Sequence, residues 1–223
     1  MKKYAIIVAG GAGTRMGTET PKQFLELKGK PVLMHSMNRF FNFDKNITLI
    51  IVLPEHQINF WKNLCKQHHY QVPHQIVTGG SERFYSVKNG LTLVEENAIV
   101  AIHDAVRPLV SSATISGAFD AAFQYGNGIP AIPLSDSIRK IDENKNFAVN
   151  RKLYQIIQTP QCFASTTLLK AFKQEYKKEF TDDATVLESI GETIYLTQGN
   201  AENIKITTPS DLKLAAALLE GLH

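Results

Sequence analysis

Residues 4–17 of the chain read YAIIVAGGAGTRMG. The apolar run 4–8 predicts a buried β-strand, and the glycines that follow it predict a tight loop at the carboxyl end of that strand. Further along, short apolar runs such as 47–53 and 98–102 alternate with longer segments of helical period. This alternation is typical of βαβ units. The chain is therefore expected to adopt an α/β fold.

The same patterns place the other elements along the chain. Apolar residues at helical spacing predict helices at 31–41, 55–68, 83–95, 111–123, 165–177 and 182–189, and a last one from 210. Short apolar runs predict further strands at 75–77, 129–133, 193–196 and 203–206. The expected architecture is Rossmann-like, a mostly parallel, twisted sheet with helices on both faces. Such sheets bind their ligands outside the carboxyl ends of the strands.

One segment departs from this pattern. Polar and apolar residues alternate from about 136 to 158 around the turn sequence DENKN at 142–146, which predicts a protruding β-hairpin arm. An isolated two-stranded ribbon is only marginally stable, so the apolar residues of the arm need a partner, and a second copy of the chain would supply it. The alternative is a surface hairpin on a monomer. We expect one domain over 1–223 that carries this arm and uses it for dimerisation.

Composition and charge exclude several classes of function. The 223 residues are 43% hydrophobic and 20% charged, as in an ordinary globular protein, and the net charge of +3 includes no basic run that would suit nucleic acid or a membrane surface. The two cysteines, Cys65 and Cys162, form no CxxC pair, so neither a disulfide framework nor a zinc site is expected. No signal peptide and no apolar run of about 20 residues is recognised, which favours a cytoplasmic protein.

The glycine loop at 10–17 departs from two familiar phosphate-binding loops. The dinucleotide pattern GxGxxG fails at Met16, and the P-loop pattern fails because no Gly-Lys-Ser/Thr follows. What remains is a glycine turn with the cation Arg15 and, seven positions on, Lys22. Backbone amides and two cations could hold a polyphosphate and neutralise charge on a phosphorus under attack. The alternative is a tight strand-to-helix connection with solvated charges.

Special residues also follow two other predicted strands. Gly79 and Gly80 come after the strand at 75–77, and His103 and Asp104 come after the run 98–102. A carboxylate directly after a buried run favours a functional role for Asp104 over a purely structural one. His103 is interpreted as a packing or hydrogen-bonding residue.

Together these motifs carry a resemblance. The pattern of 9–17 with Pro21-Lys22-Gln23-Phe24-Leu25 resembles the nucleotidyltransferases that act on sugar or polyol phosphates, and more closely the 2-C-methyl-D-erythritol 4-phosphate cytidylyltransferase family. The match continues at 79–83 with 86–87, at 103–108, at 159–161, at 181–184 and at 203–207. These motifs span nearly the whole chain in the order of the family.

The resemblance implies a reaction. A phosphate oxygen of methylerythritol phosphate attacks the α-phosphorus of CTP, pyrophosphate leaves, and 4-diphosphocytidyl-2-C-methyl-D-erythritol forms on the non-mevalonate route to isoprenoid precursors. The resemblance makes Arg15 and Lys22 the catalytic residues and implies Mg²⁺ bound mainly through the CTP phosphates, with Asp104 as a possible ligand. It also implies a homodimer formed through the arm.

The resemblance assigns two further groups of residues. Nucleotide binding falls to Ala9, Gly10, Gly11, Ala12, Gly13, Gly79, Gly80, Ser81, Ser86, Asp104 and Ala105. Positioning of the polyol phosphate falls to Asp104, Arg107, Ser137, Arg151, Thr159, Thr181 and Lys205. Four of these residues have a structural alternative. Gly79-Gly80 could be a strand-ending turn, Ser86 a solvated helix hydroxyl, and Thr181 the cap of a helix with acidic residues in its first turn.

Two other functions are open at this stage. The first is a ribitol 5-phosphate cytidylyltransferase, since those enzymes share the glycine loop and the Pro-Lys-Gln motif. The second is a non-catalytic nucleotide-binding regulator on the same scaffold, which the loss of Arg15 or Lys22 would have favoured. Both cations are present.

Overall fold

The computed structural model describes residues 1–10 and 20–221. Its strands are β1 (Lys3–Val8), β2 (Glu26–Leu27), β3 (Lys30–Pro31), β4 (Thr48–Leu53), β5 (Gln75–Thr78), β6 (Ile99–Asp104), β7 (Asn127–Pro133), β8 (Arg139–Asp142), β9 (Lys145–Ala148), β10 (Gln155–Ile157), β11 (Gln161–Ala164) and β12 (Leu196–Gln198). Its α-helices are α1 (Val32–Phe43), α2 (Glu55–Gln67), α3 (Arg83–Leu91), α4 (Ser112–Tyr125), α5 (Ser165–Ala171), α6 (Asp183–Glu188) and α7 (Pro209–Glu220). Short 3-10 helices lie at Lys22–Phe24 and Arg151–Leu153.

Eight of these strands form one sheet in the order β10-β7-β11-β6-β1-β4-β5, with β12 beside β7. Strand β1 pairs in parallel with β4 and β6, and β4 pairs in parallel with β5. Strand β11 is antiparallel to both β6 and β7, so β7 runs in the same direction as β6, and only β10 and β11 run the other way. The predicted Rossmann-like, mostly parallel sheet is confirmed.

Helices cover both faces of this sheet. Ala5 and Ile7 of β1 pack in one core with side chains of α1, α2 and α4. Tyr4 and Ile6, the alternate residues of β1, pack in a second core with α3, α5 and α6. Since alternate side chains of a strand point to opposite faces, the two cores lie on opposite sides of the sheet. A smaller apolar cluster packs α7 against the segment that follows β6.

The hairpin arm is present, with a difference at its end. Strands β8 and β9 pair only with each other among the described residues, and Glu143, at φ 46°, lies in the turn between them. The segment Gln155–Ile157, which the prediction included in the arm, is β10 and pairs with β7 in the main sheet. Ile141 and Phe147 on the arm are 71% and 49% exposed. The use of this apolar surface for dimerisation stays a prediction.

Several predicted elements differ in length or position. No strand forms at 203–206, because Ile206 N donates to Val106 O instead of to a sheet neighbour. The strand expected at 193–196 begins at Leu196, where pairing with β7 starts. Helix α3 ends at Leu91 because the next three amides donate to carbonyls three residues back, which tightens the last turn.

Helix α5 is shorter than the predicted 165–177 and ends at Ala171. The reason lies in Gln174, whose Nε2 donates to Ala171 O, at the end of the helix, and to Val186 O of α6. Within the residues that the structure describes, no helix is both long enough and apolar enough to span a membrane.

Candidate active site

The site begins where two neighbouring parallel strands end. Val8 of β1 and Asp104 of β6 are paired in register, so Ala9 and Gly10, which follow β1, lie near the carboxylate that ends β6. Ala105 N donates to Val8 O at 3.0 Å, which holds the two strand ends together. The position agrees with the general rule that open α/β sheets bind ligands at the carboxyl ends of their strands.

A cavity of about 210 Å³ opens at this point. Nine residues assigned from the sequence line it, namely Ala9, Gly10, Lys22, Gly80, Ser81, Ser86, Asp104, Ala105 and Lys205. Gly79 does not line this cavity, and its N donates to Leu53 O. Gly11, Ala12, Gly13 and Arg15 lie outside the described residues.

The loop after β5 is shaped by a contact that requires glycine. Gly80 N donates to the buried Ser86 Oγ at 3.1 Å. A Cβ on Gly80 would lie 2.3 Å from Tyr85 Cβ, and a Cβ on Gly79 would lie 3.0 Å from Ser86 Oγ. Any larger residue at 80 would push this loop away from α3. The turn that ends β5 therefore also forms a wall of the cavity.

Lys22 is placed by its neighbour in sequence. Gln23 is 1% exposed, and its Nε2 donates both to Ala9 O and to Gln57 Oε1, each at 2.8 Å. These bonds join the 3-10 helix Lys22–Phe24 to the end of β1 and to α2. Lys22 is thereby held at the rim of the same cavity as Asp104.

Among the described residues, three cations lie within 4 Å of the Asp104 carboxylate. Arg107 Nε lies 3.1 Å and Lys205 Nζ 3.2 Å from Oδ2, and Arg83 Nε lies 3.9 Å from Oδ1. Burial alone would raise the pKa of the Asp104 carboxyl, but the charges of Arg83, Lys205 and Arg107 outweigh burial and hold that pKa well below its usual range. The carboxylate is therefore ionised at neutral pH.

His103 supports this arrangement from within the core. It is fully buried, its Nε2 lies 3.0 Å from Arg107 O, and its Nδ1 lies 3.0 Å from Thr159 Oγ1. Burial lowers the pKa of His103 to about 4, so the ring is neutral near pH 7. A carbonyl oxygen only accepts, so Nε2 carries the proton, and the Thr159 hydroxyl donates to Nδ1 while accepting from Asp104 N. The predicted hydrogen-bonding role of His103 agrees with these contacts.

A second cavity of about 140 Å³ lies on the other side of Asp104. Thr159, Thr181 and Arg107, all assigned from the sequence to the polyol phosphate, line it. The residues that line both cavities are Arg83, Asp104 and Lys205. Two binding spaces therefore meet at one carboxylate and two cations.

The loop beside Thr181 is fixed by residues for which no role was assigned. Gln161 Oε1 accepts from the amides of Asp183 and Ala184, and its Nε2 donates to Asp182 Oδ2 at 2.7 Å. The cap of α6 is Asp182, in a capping box with Thr185, so the alternative that Thr181 caps this helix is wrong. Thr181 is exposed and faces the second cavity.

Arg83 connects this loop to Asp104. Its two terminal nitrogens donate to both oxygens of Asp183, at 2.8 and 2.6 Å, and the Asp183 side chain is 1% exposed. Burial alone would lower the pKa of Arg83, but the charge of Asp183 outweighs burial and raises that pKa, so the guanidinium stays charged. The sequence signal for Arg83 and Asp183 was their place within the matched motifs 79–83 and 181–184, but no residue pattern pairs positions so far apart.

Two assigned residues lie away from these cavities. Ser137 is exposed on the arm, and Arg151, also exposed, donates through Nη1 to Ser135 O. Neither lines the first or the second cavity of its own chain.

The chemistry of the two cavities suits anions. Lys22, Arg83 and Lys205 line the first cavity, and Arg107 joins Arg83 and Lys205 at the second. No cluster of three or more His, Cys, Asp or Glu side chains among residues 1–10 and 20–221 could hold a metal ion unaided. The arrangement can bring two phosphorylated molecules together and stabilise charge between them.

Comparisons with known proteins agree with this geometry. The family model of 2-C-methyl-D-erythritol 4-phosphate cytidylyltransferase matches residues 4–221. A protein of that name from Bacteroides fragilis is 48% identical over 98% of this chain and 100% of its own length, and one from Clostridium botulinum is 38% identical over 99% of each.

Solved structures are also similar. The 4-diphosphocytidyl-2C-methyl-D-erythritol synthase of Anaerococcus prevotii is 28% identical, with a TM-score of 0.82 over 98% of both chains. The 2-C-methyl-D-erythritol 4-phosphate cytidylyltransferase of Thermus thermophilus is 26% identical, with a TM-score of 0.80 over 99% of this chain and all of the other.

Proposed function

The chain belongs to the 2-C-methyl-D-erythritol 4-phosphate cytidylyltransferase family, and from this premise we propose how its two cavities carry out the reaction. The protein is a nucleotidyltransferase that joins CTP and 2-C-methyl-D-erythritol 4-phosphate, giving 4-diphosphocytidyl-2-C-methyl-D-erythritol and pyrophosphate. The observation that carries the proposal is the meeting of the two cavities at Asp104, Arg83 and Lys205.

CTP occupies the first cavity. The glycine turn at Gly79 and Gly80 offers main-chain groups to the cytosine ring, and the close contact with Ser86 and Tyr85 narrows the wall against a purine. Asp104 and Ala105 lie at the ribose, and Ala9 and Gly10, which follow β1, line the part of the cavity that takes the triphosphate. Because this wall is built from backbone, it leaves little room for a larger base.

The polyol phosphate occupies the second cavity. Thr181 offers its hydroxyl group to those of the polyol, while Thr159, whose proton goes to His103, can only accept. Arg107 and Lys205 offer positive charge to its phosphate. Asp104 lies between the two substrates and accepts hydrogen bonds from either. This arrangement places a phosphate oxygen of one substrate near the α-phosphorus of the other, and such positioning supplies much of the rate in phosphoryl-type transfers.

Arg15 and Lys22 act on the transition state. A phosphate oxygen forms a bond to the α-phosphorus of CTP while the bond to the bridging oxygen of pyrophosphate breaks, and the nucleophile needs no general base because it is already an anion. Negative charge grows on the oxygens around the α-phosphorus and on the leaving group, and the two cations stabilise that charge. Lys22 is held at the rim of the cavity by the bonds of Gln23.

A divalent cation fits this site as a companion of the triphosphate. Mg²⁺ prefers oxygen ligands and is bound in many enzymes by one or two carboxylates together with substrate phosphates. Asp104 Oδ1, whose cationic neighbour Arg83 lies at 3.9 Å, is the protein oxygen that would take part. When bound, Mg²⁺ neutralises charge on the CTP phosphates, which supply most of its ligands.

The arm completes the site across a homodimer. Arg151 and Ser137 lie outside the cavities of their own chain, and the apolar side chains Ile141 and Phe147 are exposed on the arm. Insertion of the arm against a second copy would bury those side chains and bring Arg151 to the partner's polyol phosphate. We place the reaction in the cytoplasm, where the unpaired thiols of Cys65 and Cys162 would persist.

The comparisons do not favour a ribitol 5-phosphate cytidylyltransferase, and membership of an enzyme family argues against a non-catalytic regulator. The test is pyrophosphate release from CTP with Mg²⁺, with methylerythritol phosphate and ribitol 5-phosphate offered separately. Release with methylerythritol phosphate and little with ribitol phosphate is expected. Release with ribitol phosphate alone would support the other enzyme, and release with neither would refute both.

A further inference from the structure

Helix α1 carries a polar stripe on the side away from its apolar residues. His35, Asn38, Arg39 and Asn42 stand at positions i, i+3, i+4 and i+7, so they share one face of the helix. Together with Lys28 and Lys30 of the β2–β3 hairpin and Leu219 of α7, they line a cavity of about 340 Å³. None of these seven residues lines either cavity of the reaction site. The volume lies in the range of small-molecule binding sites.

Two cations in this cavity have no carboxylate partner among the described residues. Arg39 Nε donates to Pro108 O at 2.9 Å, and no described carboxylate forms an ion pair with its guanidinium. The ammonium group of Lys30 has neither an ion pair nor a hydrogen bond in the part of the chain that the structure describes, whereas its backbone pairs with Leu27 in the hairpin. Lys28 differs, because it pairs with Glu220 at the rim. The cavity therefore holds an excess of about two positive charges.

The pKa values of Arg39 and His35 reflect the same excess of positive charge. Burial lowers the pKa of Arg39, because a half-buried guanidinium loses hydration without gaining a counter-ion. Burial also lowers the pKa of His35, and the charges of Lys30 and Arg39 lower it further. His35 Nε2 lies 2.7 Å from Leu27 O and donates to it, so Nδ1 of the neutral ring carries no proton. An anion in the cavity would offset the lost hydration of Arg39 and the repulsion between the positive charges.

The cavity also offers uncharged donors. Asn38 Oδ1 accepts from Tyr70 Oη, and Asn42 Oδ1 accepts from Lys45 Nζ, so the oxygens of both amides are engaged. Their Nδ2 groups have no partner among residues 1–10 and 20–221 and can donate to hydroxyl or ester oxygens of a ligand. Leu219 adds one apolar side chain to the wall.

We propose that this cavity is a second binding site, separate from the reaction site, for a phosphomonoester of a small polar molecule. The two cations without carboxylate partners match the charge of a phosphate dianion, and Arg39 presents the planar donor group that suits phosphate oxygens. The cavity is larger than inorganic phosphate, so the amide donors and Leu219 are left for an organic part. Arg39 also holds Pro108, the residue after Arg107, so the occupant contacts a side chain that supports the reaction site.

The test is a titration with sn-glycerol 3-phosphate, and with inorganic phosphate in parallel, followed through the backbone amide resonances of the whole chain. We expect saturable shifts at residues 28–42 and 219, with a dissociation constant different from that of shifts at 80–86 and 104–107. The K30M/R39M variant removes both cations and keeps most of their aliphatic length, and it is expected to weaken binding at 28–42 by at least about tenfold. The matched control K62M/K66M removes two exposed lysines of α2 and should leave this binding unchanged.

A second variant guards against a change of fold. Lys30→Met leaves the bond between Arg39 and Pro108 in place and is expected to weaken binding severalfold without altering the spectrum elsewhere. Tighter binding of glycerol 3-phosphate than of inorganic phosphate supports the proposed organic part, and equal affinities would overturn that part of the proposal. Shifts confined to 80–86 and 104–107, or equal affinity in K30M/R39M and K62M/K66M, would overturn the site itself.

Discussion

Lys205 Nζ lies 3.2 Å from Asp104 Oδ2. The contact connects the segment after β12 to the end of β6, and both residues line the first cavity as well as the second. Because Arg107 Nε binds the same oxygen at 3.1 Å, two cations are oriented by one carboxylate at the boundary between the two cavities. Asp104 is thus the group on which the geometry of both cavities depends.

Replacement of Asp104 by asparagine keeps the size of the side chain and removes its charge. We expect kcat/KM to fall by at least about 100-fold, because Arg107 and Lys205 lose the carboxylate that orients them and the substrates lose an acceptor. Steady-state pyrophosphate release measures the effect. Asp120→Asn on α4, where the carboxylate is exposed and accepts from Ser116, is the matched control. Activity within about threefold of the unchanged enzyme would remove Asp104 from the site.

Replacement of Lys22 by alanine tests the proposed transition-state role. We expect kcat to fall by at least about 100-fold while the dissociation constant of CTP rises only severalfold, since the charge near the α-phosphorus is larger in the transition state than in bound CTP. Single-turnover kinetics and equilibrium binding separate the two quantities. Lys62→Ala, at an exposed position of α2, should change neither. If the variant turned over normally, Lys22 would have no part in the chemistry.

The arm is tested by mixing two inactive enzymes. Arg151→Ala removes the arginine that we propose for the partner's site, and Lys22→Ala is expected to disable the chain's own site. In a mixed dimer one site carries both defects and the other carries neither, so random mixing restores about a quarter of the full activity. Sedimentation should show a particle of twice the 24.9 kDa chain mass in each preparation. Dimers that regain no activity on exchange would place Arg151 in the site of its own chain, and a monomer would refute the shared site.

The ion pair between Arg83 and Asp183 is expected to stabilise the fold. Arg83→Met leaves the buried carboxylate of Asp183 without its bidentate partner, and the free energy of unfolding should drop by about 3 kcal/mol. Urea denaturation measures the change. The double variant R83M/D183N removes the stranded charge and should recover at least half of the loss, whereas Lys178→Met, at an exposed lysine, should have little effect. A double variant less stable than R83M would contradict this explanation.

The two cysteines are expected to be poorly reactive. Burial raises the pKa of Cys65 to about 11 and raises that of the fully buried Cys162 as well, so both thiols are protonated at pH 8. Alkylation by iodoacetamide at pH 8 should be at least about 100-fold slower in the folded protein than in urea, and the rate at Cys65 should rise with pH up to about 11. Lys178→Cys adds an exposed thiol that should label rapidly. Equally fast labelling of Cys65 would show that the thiol is accessible and ionised.

The sheet could be predicted because its information is local. Each parallel strand is a short apolar run such as 4–8 or 98–102. The glycines follow β1 and β5 directly, and the carboxylate of Asp104 ends β6. The predicted strand at 203–206 failed for a physical reason, since Ile206 is buried against the loop at Val106 and not in the sheet. An apolar run indicates burial, and it does not say which backbone the run will pair with.

The supports of the site could not be predicted in the same way. Gln161 fixes the loop at 182–184 through three hydrogen bonds. Arg83 binds Asp183 and lies 3.9 Å from Asp104 Oδ1. These partners are far apart in sequence, so only the packed fold brings them together. The basic cavity beside α1 had no sequence signal either, because His35, Asn38, Arg39 and Asn42 look like an ordinary solvated helix face until the β2–β3 hairpin and α7 close over them.

The central claim is that the chain forms a diphosphate bridge between CTP and methylerythritol phosphate. The most direct measurement is a ³¹P NMR time course of the protein with CTP, Mg²⁺ and methylerythritol 4-phosphate. We expect the phosphomonoester resonance to disappear as two mutually coupled diphosphate resonances and one equivalent of pyrophosphate appear. An unchanged phosphomonoester resonance, whether CTP is stable or is hydrolysed alone, would contradict the account.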